Sequence, residues 1–244
     1  MISKKEEHVK GLVVSASPYQ ENSSLVRVCT QNGIQDFLVK GVYRPNSRLK
    51  PFLLAFNFLD IDYCSSDTGL LFAKDCEVIK DISKFYTDFR MNAVLSFLQE
   101  ATVTFFRYGD SYPLEDVLLF LDALEGKKDL LSLLLLLIGS FYRSHGLELE
   151  TGHCLVCHTT HDLVSYSIPE GGFYCRKCTK DDRKDSMELY ILKFCFLGFS
   201  SQNVQRVVPK DKGKKILIEL INNLTEYFDT TKLSSLPLLL QLLD

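Results

Sequence analysis

Over roughly the first eighty positions, apolar residues come in short runs, several of them alternating with polar ones; beyond that they recur at three- to four-residue spacing. Val9 to Val14, Leu25 to Cys29 and Ile34 to Val39 read as strands, with Pro18 and Asn22 in the first connection and Asn32-Gly33 as a hairpin signal in the second. Phe52 to Tyr63 gives a fourth run, alternating through Phe56, Phe58, Ile61 and Tyr63, and Leu70 to Val78 a fifth after the turn Ser65 to Gly69. Five short strands in so little chain predict a small closed sheet. The five-stranded OB barrel is the expected form, although strand count leaves other small barrels open.

From Ser83 the period is helical. Phe85, Phe89, Ala93, Phe97, Ala101 and Phe105 follow one another at four-residue spacing, with Val94, Leu98 and Phe106 widening the stripe, which predicts one long core-facing helix. Gly109 to Pro113 breaks it, Leu114 to Leu124 forms a second helix, and Leu130 to Tyr142 is apolar enough to lie at the centre of a bundle. Met187 to Phe199 and the amphipathic Ile216 to Phe228 are further helices. The Leu-rich Leu233 to Leu243 should dock onto that bundle. The expected class is therefore α+β and multidomain: an OB-type barrel over 1–80, then an all-α helical domain over 81–244 into which residues 152–180 are inserted.

That insert changes the picture most. Cys154-Leu155-Val156-Cys157 and Cys175-Arg176-Lys177-Cys178 face each other across a seventeen-residue spacer. Two such pairs at this spacing supply four thiolates to a tetrahedral ion about 2.3 Å from each sulfur, and a closed four-cysteine site is structural zinc. A redox dithiol needs only one pair, and haem attachment at Cys154 to His158 would leave the second pair unexplained. His153, His158 or His161 could in principle replace a cysteine; loop residues in solvent are the plainer reading. Cys29, Cys64, Cys76 and Cys195 lie singly in apolar segments, as core thiols in a reducing cytoplasm do.

The chain has 244 residues, 46% of them hydrophobic and 24% charged, which places it among soluble globular proteins of more than one module. Its start is polar and reads as no signal peptide, and Leu130 to Ile138 is far shorter than the ~20 apolar residues of a membrane span. A formal net charge of −3 excludes a protein that coats nucleic acid over its whole surface, so any such contact must be local. The loop from Lys40 to Pro51 offers one: it carries Lys40, Arg44, Arg48 and Lys50 and no carboxylate. Its Gly, Pro, Asn and Ser residues leave the cations free to reach phosphates, and Tyr43 adds a ring on which a base could stack. A second basic stretch, Gln202 to Lys215, reads as a solvated face. Nucleophile elbow, phosphate-cradling loop and zinc-protease motif are all lacking, and Asp60 and Asp62 share a strand face with no histidine near them in sequence, so an enzyme is not indicated.

The order of barrel, helices, four-cysteine clip and helix resembles the bacterial recombination mediator family RecO. The resemblance is carried by Pro18 to Ser23, Thr30 to Gly33, Lys40-Gly41 through Arg48 to Phe52, and Cys154 to Cys178 with Gly171-Gly172 before the second pair. It implies a non-enzymatic cytoplasmic, nucleoid-associated protein of recombinational DNA repair. Such a protein binds single- and double-stranded DNA, promotes strand annealing and helps load RecA together with RecR, and it engages the acidic tail of the single-strand-binding protein. The family's basic loop falls on Lys40, Arg44, Arg48 and Lys50, and its zinc ligands on Cys154, Cys157, Cys175 and Cys178; Arg176, Lys177, Lys180, Arg183 and Lys184 have the charge to meet an acidic tail. This chain has Val42-Tyr43 where the family usually has small residues, so stacking on Tyr43 comes from the residues alone. A zinc-clipped adaptor that binds only proteins is the alternative.

Overall fold

The computed structural model describes residues 6–179 and 185–243. The chain packs as two compact units: one formed by the chain up to Leu114 together with Leu233–Leu239, the other by Glu115–Lys232 and the chain from Leu240 on. The expected boundary at residue 80 marks the change from strand to helix, whereas the packing division falls at Leu114.

In the first unit, β1 (Glu6–Tyr19), β2 (Ser23–Thr30), β3 (Gly33–Lys40), β4 (Phe58–Ser65) and β5 (Leu71–Lys80) close into a barrel of order β1-β2-β3-β5-β4. The β3–β5 pair is parallel and the others are antiparallel, which is the expected OB-type arrangement. Val9, Val13, Val26, Val28, Phe37, Val39, Leu59, Ile61 and Tyr63 fill the barrel. Leu12 and Val14 on the opposite face of β1 are equally buried, and Gln99 of helix α1 (Phe89–Phe105) donates to the Val14 carbonyl at 2.6 Å. Burial on both faces is why this strand reads as a continuous apolar run.

Three expectations need correction here. Phe52 to Asn57 is not strand: Lys50–Leu53 is a 3-10 turn with Pro51 near its start, since proline cannot donate to a ladder, yet Phe52 and Phe56 remain fully buried. The long helix begins at Phe89, where Asp88 caps it by accepting from the N–H groups of Arg90 and Met91; Phe85 sits in a separate 3-10 turn. Phe89 is 68% exposed, not core-facing. A strict four-residue repeat drifts about 40° per step around a 3.6-residue helix, and the first turn falls off the buried face. Last, Leu233–Leu239 packs in this unit, pinned where the Glu100 carboxylate on α1 accepts from the backbone and hydroxyl groups of Ser234 and Ser235.

In the second unit, α2 (Leu114–Glu125), α3 (Leu130–Ser144), α4 (Ser186–Cys195) and α5 (Lys210–Tyr227) form the bundle. Every residue of α3 from Leu131 to Tyr142 is buried, as its composition predicts, and the Tyr142 hydroxyl donates to the Leu220 carbonyl at 2.9 Å. Helix α4 ends before Phe196, and α5 begins at Lys210, earlier than its apolar pattern indicates. From Lys210 on, the basic stretch is thus the first turns of a helix, with Lys212 paired to Asp185 and Lys215 to Glu188.

Helices α3 and α4 meet at Gly139: a Cβ there would lie 1.9 Å from the Cys195 carbonyl oxygen. Gly139→Ala gains about 1 kcal/mol of helix propensity and incurs overpacking of about 3 kcal/mol, a net loss on the order of 2 kcal/mol. Urea unfolding of the two proteins measures it; a variant as stable as the parent would contradict the close approach.

Between α3 and α4 the chain adds β6 (Glu150–Cys154), β7 (Leu163–Ser167) and β8 (Gly172–Cys175), a small sheet of order β6-β8-β7. Among the described residues, no helix is long and apolar enough to cross a membrane.

Candidate metal centre and nucleic-acid interface

The small sheet brings the two cysteine pairs together. Cys154 ends β6 and Cys175 ends β8, and Leu155 N–H donates to the Phe173 carbonyl at 2.9 Å, tying the first knuckle to the strand that carries the second. Each pair is a tight turn. The Cys154 carbonyl accepts from His158 N–H at 2.9 Å, and the Cys175 carbonyl from Cys178 and Thr179 N–H, both at 3.0 Å. His158 takes the left-handed conformation, φ +59°, that turns the chain away after the first knuckle. Arg176 and Asp162 brace the second through a two-point ion pair at 2.8 and 2.9 Å.

The four Sγ atoms lie within 4.8 Å of one another, with Cys157 and Cys175 at 3.6 Å. A tetrahedral ion with sulfurs at 2.3 Å sets them about 3.8 Å apart, so the donor set fits a thiolate-bound metal. His153, His158 and His161 are not part of this group. Burial pushes the Cys154 thiol up, but the backbone N–H groups of Cys157, Cys175 and Val156 together with the Cys157 thiol outweigh it and hold Cys154 at about 6. Hydrogen bonds with Cys157 and Cys175, then burial, push Cys178 up to about 12. Cys154 is therefore ready as a thiolate, while Cys178 must give up its proton to a metal.

The loop after β3 is built differently. Val42 is fully buried in the barrel core and Leu49 packs against it, so both ends of the loop are anchored. Between them Arg44 N–H donates to the Gly41 carbonyl and Ser47 N–H to the Arg44 carbonyl, folding the chain into successive turns. The Lys50 ammonium donates to the Pro45 carbonyl and closes the loop. Val42, the departure from small residues, is thus the anchor that leaves Tyr43, Arg44 and Arg48 outside. Arg44 and Arg48 are exposed, and neither forms an ion pair among the described residues. By contrast Arg27, on β2, is held by Asp36 at 2.9 and 3.1 Å.

A concavity of about 470 Å³ is lined by Lys40, Arg44, Arg48 and the loop backbone between them. Tyr43, 39% exposed, does not line it. A neighbouring concavity of about 320 Å³ shares Lys40 and Leu49 and adds Phe72, Ala73 and Lys74 of β5. Sequence reading did not single out Phe72 and Lys74; their position on one face of β5 was legible, but its pairing beside Lys40 was not.

Two further sequence readings change. The Asp60 and Asp62 pair does have a histidine: the β1–β4 register sets His8 opposite Asp62, with Nε2 2.9 Å from Asp60 Oδ1 and Nδ1 3.3 Å from Asp62 Oδ1. Among the described residues these carboxylates join no metal-binding group of three or more such side chains. Of the cations considered for an acidic tail, Arg176 is paired to Asp162, while Lys180, Arg183 and Lys184 lie outside the described residues.

Comparison with known proteins agrees with this architecture. The family described as recombination protein O, N terminal, matches residues 2–82, the barrel. A DNA repair protein RecO from Lactobacillus helveticus is 27% identical over 174 residues, 69% of each chain. One from Enterococcus faecalis is 24% identical over 227 residues, covering 90% of this chain and 86% of that protein. A third, from Bacillus mycoides, is 24% identical over 231 residues, 91% of each. The family model thus matches the barrel, and the similarity to RecO proteins continues from it through the helices and the clip.

Proposed function

We propose that this protein is a non-enzymatic DNA-binding mediator of recombinational repair, that its barrel holds nucleic-acid backbones through Lys40, Arg44, Arg48 and Lys50, and that Cys154, Cys157, Cys175 and Cys178 hold a structural zinc ion. The observation that carries it is the pair of exposed arginines, without an ion pair among the described residues, at one concavity on the barrel, whereas Arg27 on β2 is held by Asp36. Cations so placed neutralise phosphates, and two neutralised strands no longer repel one another, which is the physical requirement for annealing. Single- and double-stranded DNA both offer that backbone. RecR, the acidic tail of the single-strand-binding protein and, indirectly, RecA are the partners that go with this role. The zinc ion keeps the second unit in shape and takes no chemical step. In this reading the barrel, 1–80, is the nucleic-acid module and 81–244 the helical body.

The test is titration of a labelled oligonucleotide over a range of salt concentrations. Three to four phosphate contacts give a slope of about −2 to −3 in log affinity against log salt on single strands. Absence of binding at low salt would favour the adaptor that engages proteins alone.

A further inference from the structure

The two concavities beside the loop adjoin at Lys40 and Leu49, and together they form a path from the arginines onto β5. We infer that Phe72 is the base-stacking platform of this path and Lys74 its next phosphate contact, so that a single strand runs from Arg44 and Arg48 across Lys40 onto the start of β5. This rests on the DNA-binding reading above and assigns the part of the site that reads bases.

The alternation of the barrel sets the faces. On β5 Ala73 points inward and is 7% exposed, which turns Phe72 outward; on β3, Val39 is fully buried and Lys40 turns outward beside it. The Lys40 ammonium stands over the Phe72 ring, 5.0 Å from its centroid, a charge and a π-face held together at the joint of the two concavities. Lys74 is the extra residue of a bulge: Tyr63 pairs with Ala73 but Asp62 with Asp75, leaving Lys74 without a partner position on β4. Bulges re-aim a side chain, and here the one re-aimed is a cation.

The same bulge marks where the path ends. Beyond it β5 exposes Asp75 and Glu77, paired across to Asp62 and Asp60, and this acidic surface repels a phosphate backbone. A strand that leaves the loop along the two concavities therefore crosses Phe72 before it meets this acidic surface. Stacking on a ring requires an unpaired base, so this contact belongs to single strands and distinguishes them from duplex. Tyr43, the ring considered from sequence, lies off this route.

The protein contains no tryptophan, so Phe72→Trp places a sole indole at the site. Titrated with oligothymidylate, with binding followed independently by the anisotropy of a label on the oligonucleotide, this variant is expected to lose much of its indole emission as the strand stacks. Phe72→Ala should bind single strands roughly tenfold more weakly with an unchanged salt slope, since a stack carries no counterions, and Lys74→Ala should lower the slope by about 0.7. Unchanged emission at saturation, or Phe72→Ala binding like the parent, overturns the inference. If Arg44→Ala with Arg48→Ala still weakens binding and lowers the salt slope in that case, the DNA-binding reading stands without it; if the parent itself does not bind, both fall.

Discussion

Cys175→Ser is expected to cost the protein its metal and more than about 4 kcal/mol of stability, because loss of a structural metal is among the few single changes with effects of that size. Cys175 is buried, ends β8, and accepts two backbone hydrogen bonds at its carbonyl that shape the second knuckle. Serine keeps the size and loses the thiolate. Three sulfurs remain, a bound ion would no longer join β6 to β8, and the small sheet would depend on its few strand hydrogen bonds. In thermal unfolding this is a fall of roughly 10 °C, measured alongside metal content; equal metal content and equal stability would remove the clip from the account. A chelator should reproduce the loss in the parent protein and have little effect on the variant.

The same site gives a pH dependence with a definite sign. Metal competes with protons for sulfur, so affinity falls as pH falls. In the metal-free protein, Cys154 is depressed from an ordinary value of 9.0 to about 6. Its contribution to stability is present in full above pH 9 and is lost as pH falls toward and through 6. Metal release on acidification should therefore be accompanied by a loss of stability that neutral pH and added zinc together restore.

Arg44→Ala with Arg48→Ala is expected to weaken single-strand binding on the order of 10- to 100-fold at low salt and to reduce the salt slope by about 1.4, two phosphate contacts at about 0.7 each. Both side chains are exposed, and the loop's shape depends on Val42, Leu49 and backbone turns, so stability should stay within about 0.5 kcal/mol of the parent. The pairing of slope and affinity is the diagnostic result. A variant that binds less tightly with the original slope has lost something other than phosphate contacts, and one with unchanged affinity removes the loop from the interface.

Much of this was legible because it depends on neighbours in the chain. Strand and helix periods, the buried α3 and the Cys-x-x-Cys knuckles are local patterns, and the knuckle spacing alone predicted a four-thiol group that the small sheet assembles. The loop could be read as exposed because it is rich in turn residues and its cations have no carboxylate within the segment. Where reading failed, a local rule was extended too far. The four-residue repeat carried the helix past its cap at Asp88 and turned Phe89 inward, and the apolar run through Phe52 looked like strand although Pro51 interrupts it.

What the sequence determined by itself is the inventory: five strands with an inward face, a helix-rich remainder, four thiols at metal spacing and a basic loop. Only the tertiary structure decided which of these stand side by side. His8 meets Asp60 and Asp62 across more than fifty residues, and Lys40 comes to lie over Phe72 through the parallel pairing of β3 with β5. Both depend on register, which bulges shift by a residue at a time, and a shift of one residue moves a side chain to the other face. Composition and period carry no record of that shift, because it is set by how the closed barrel packs as a whole.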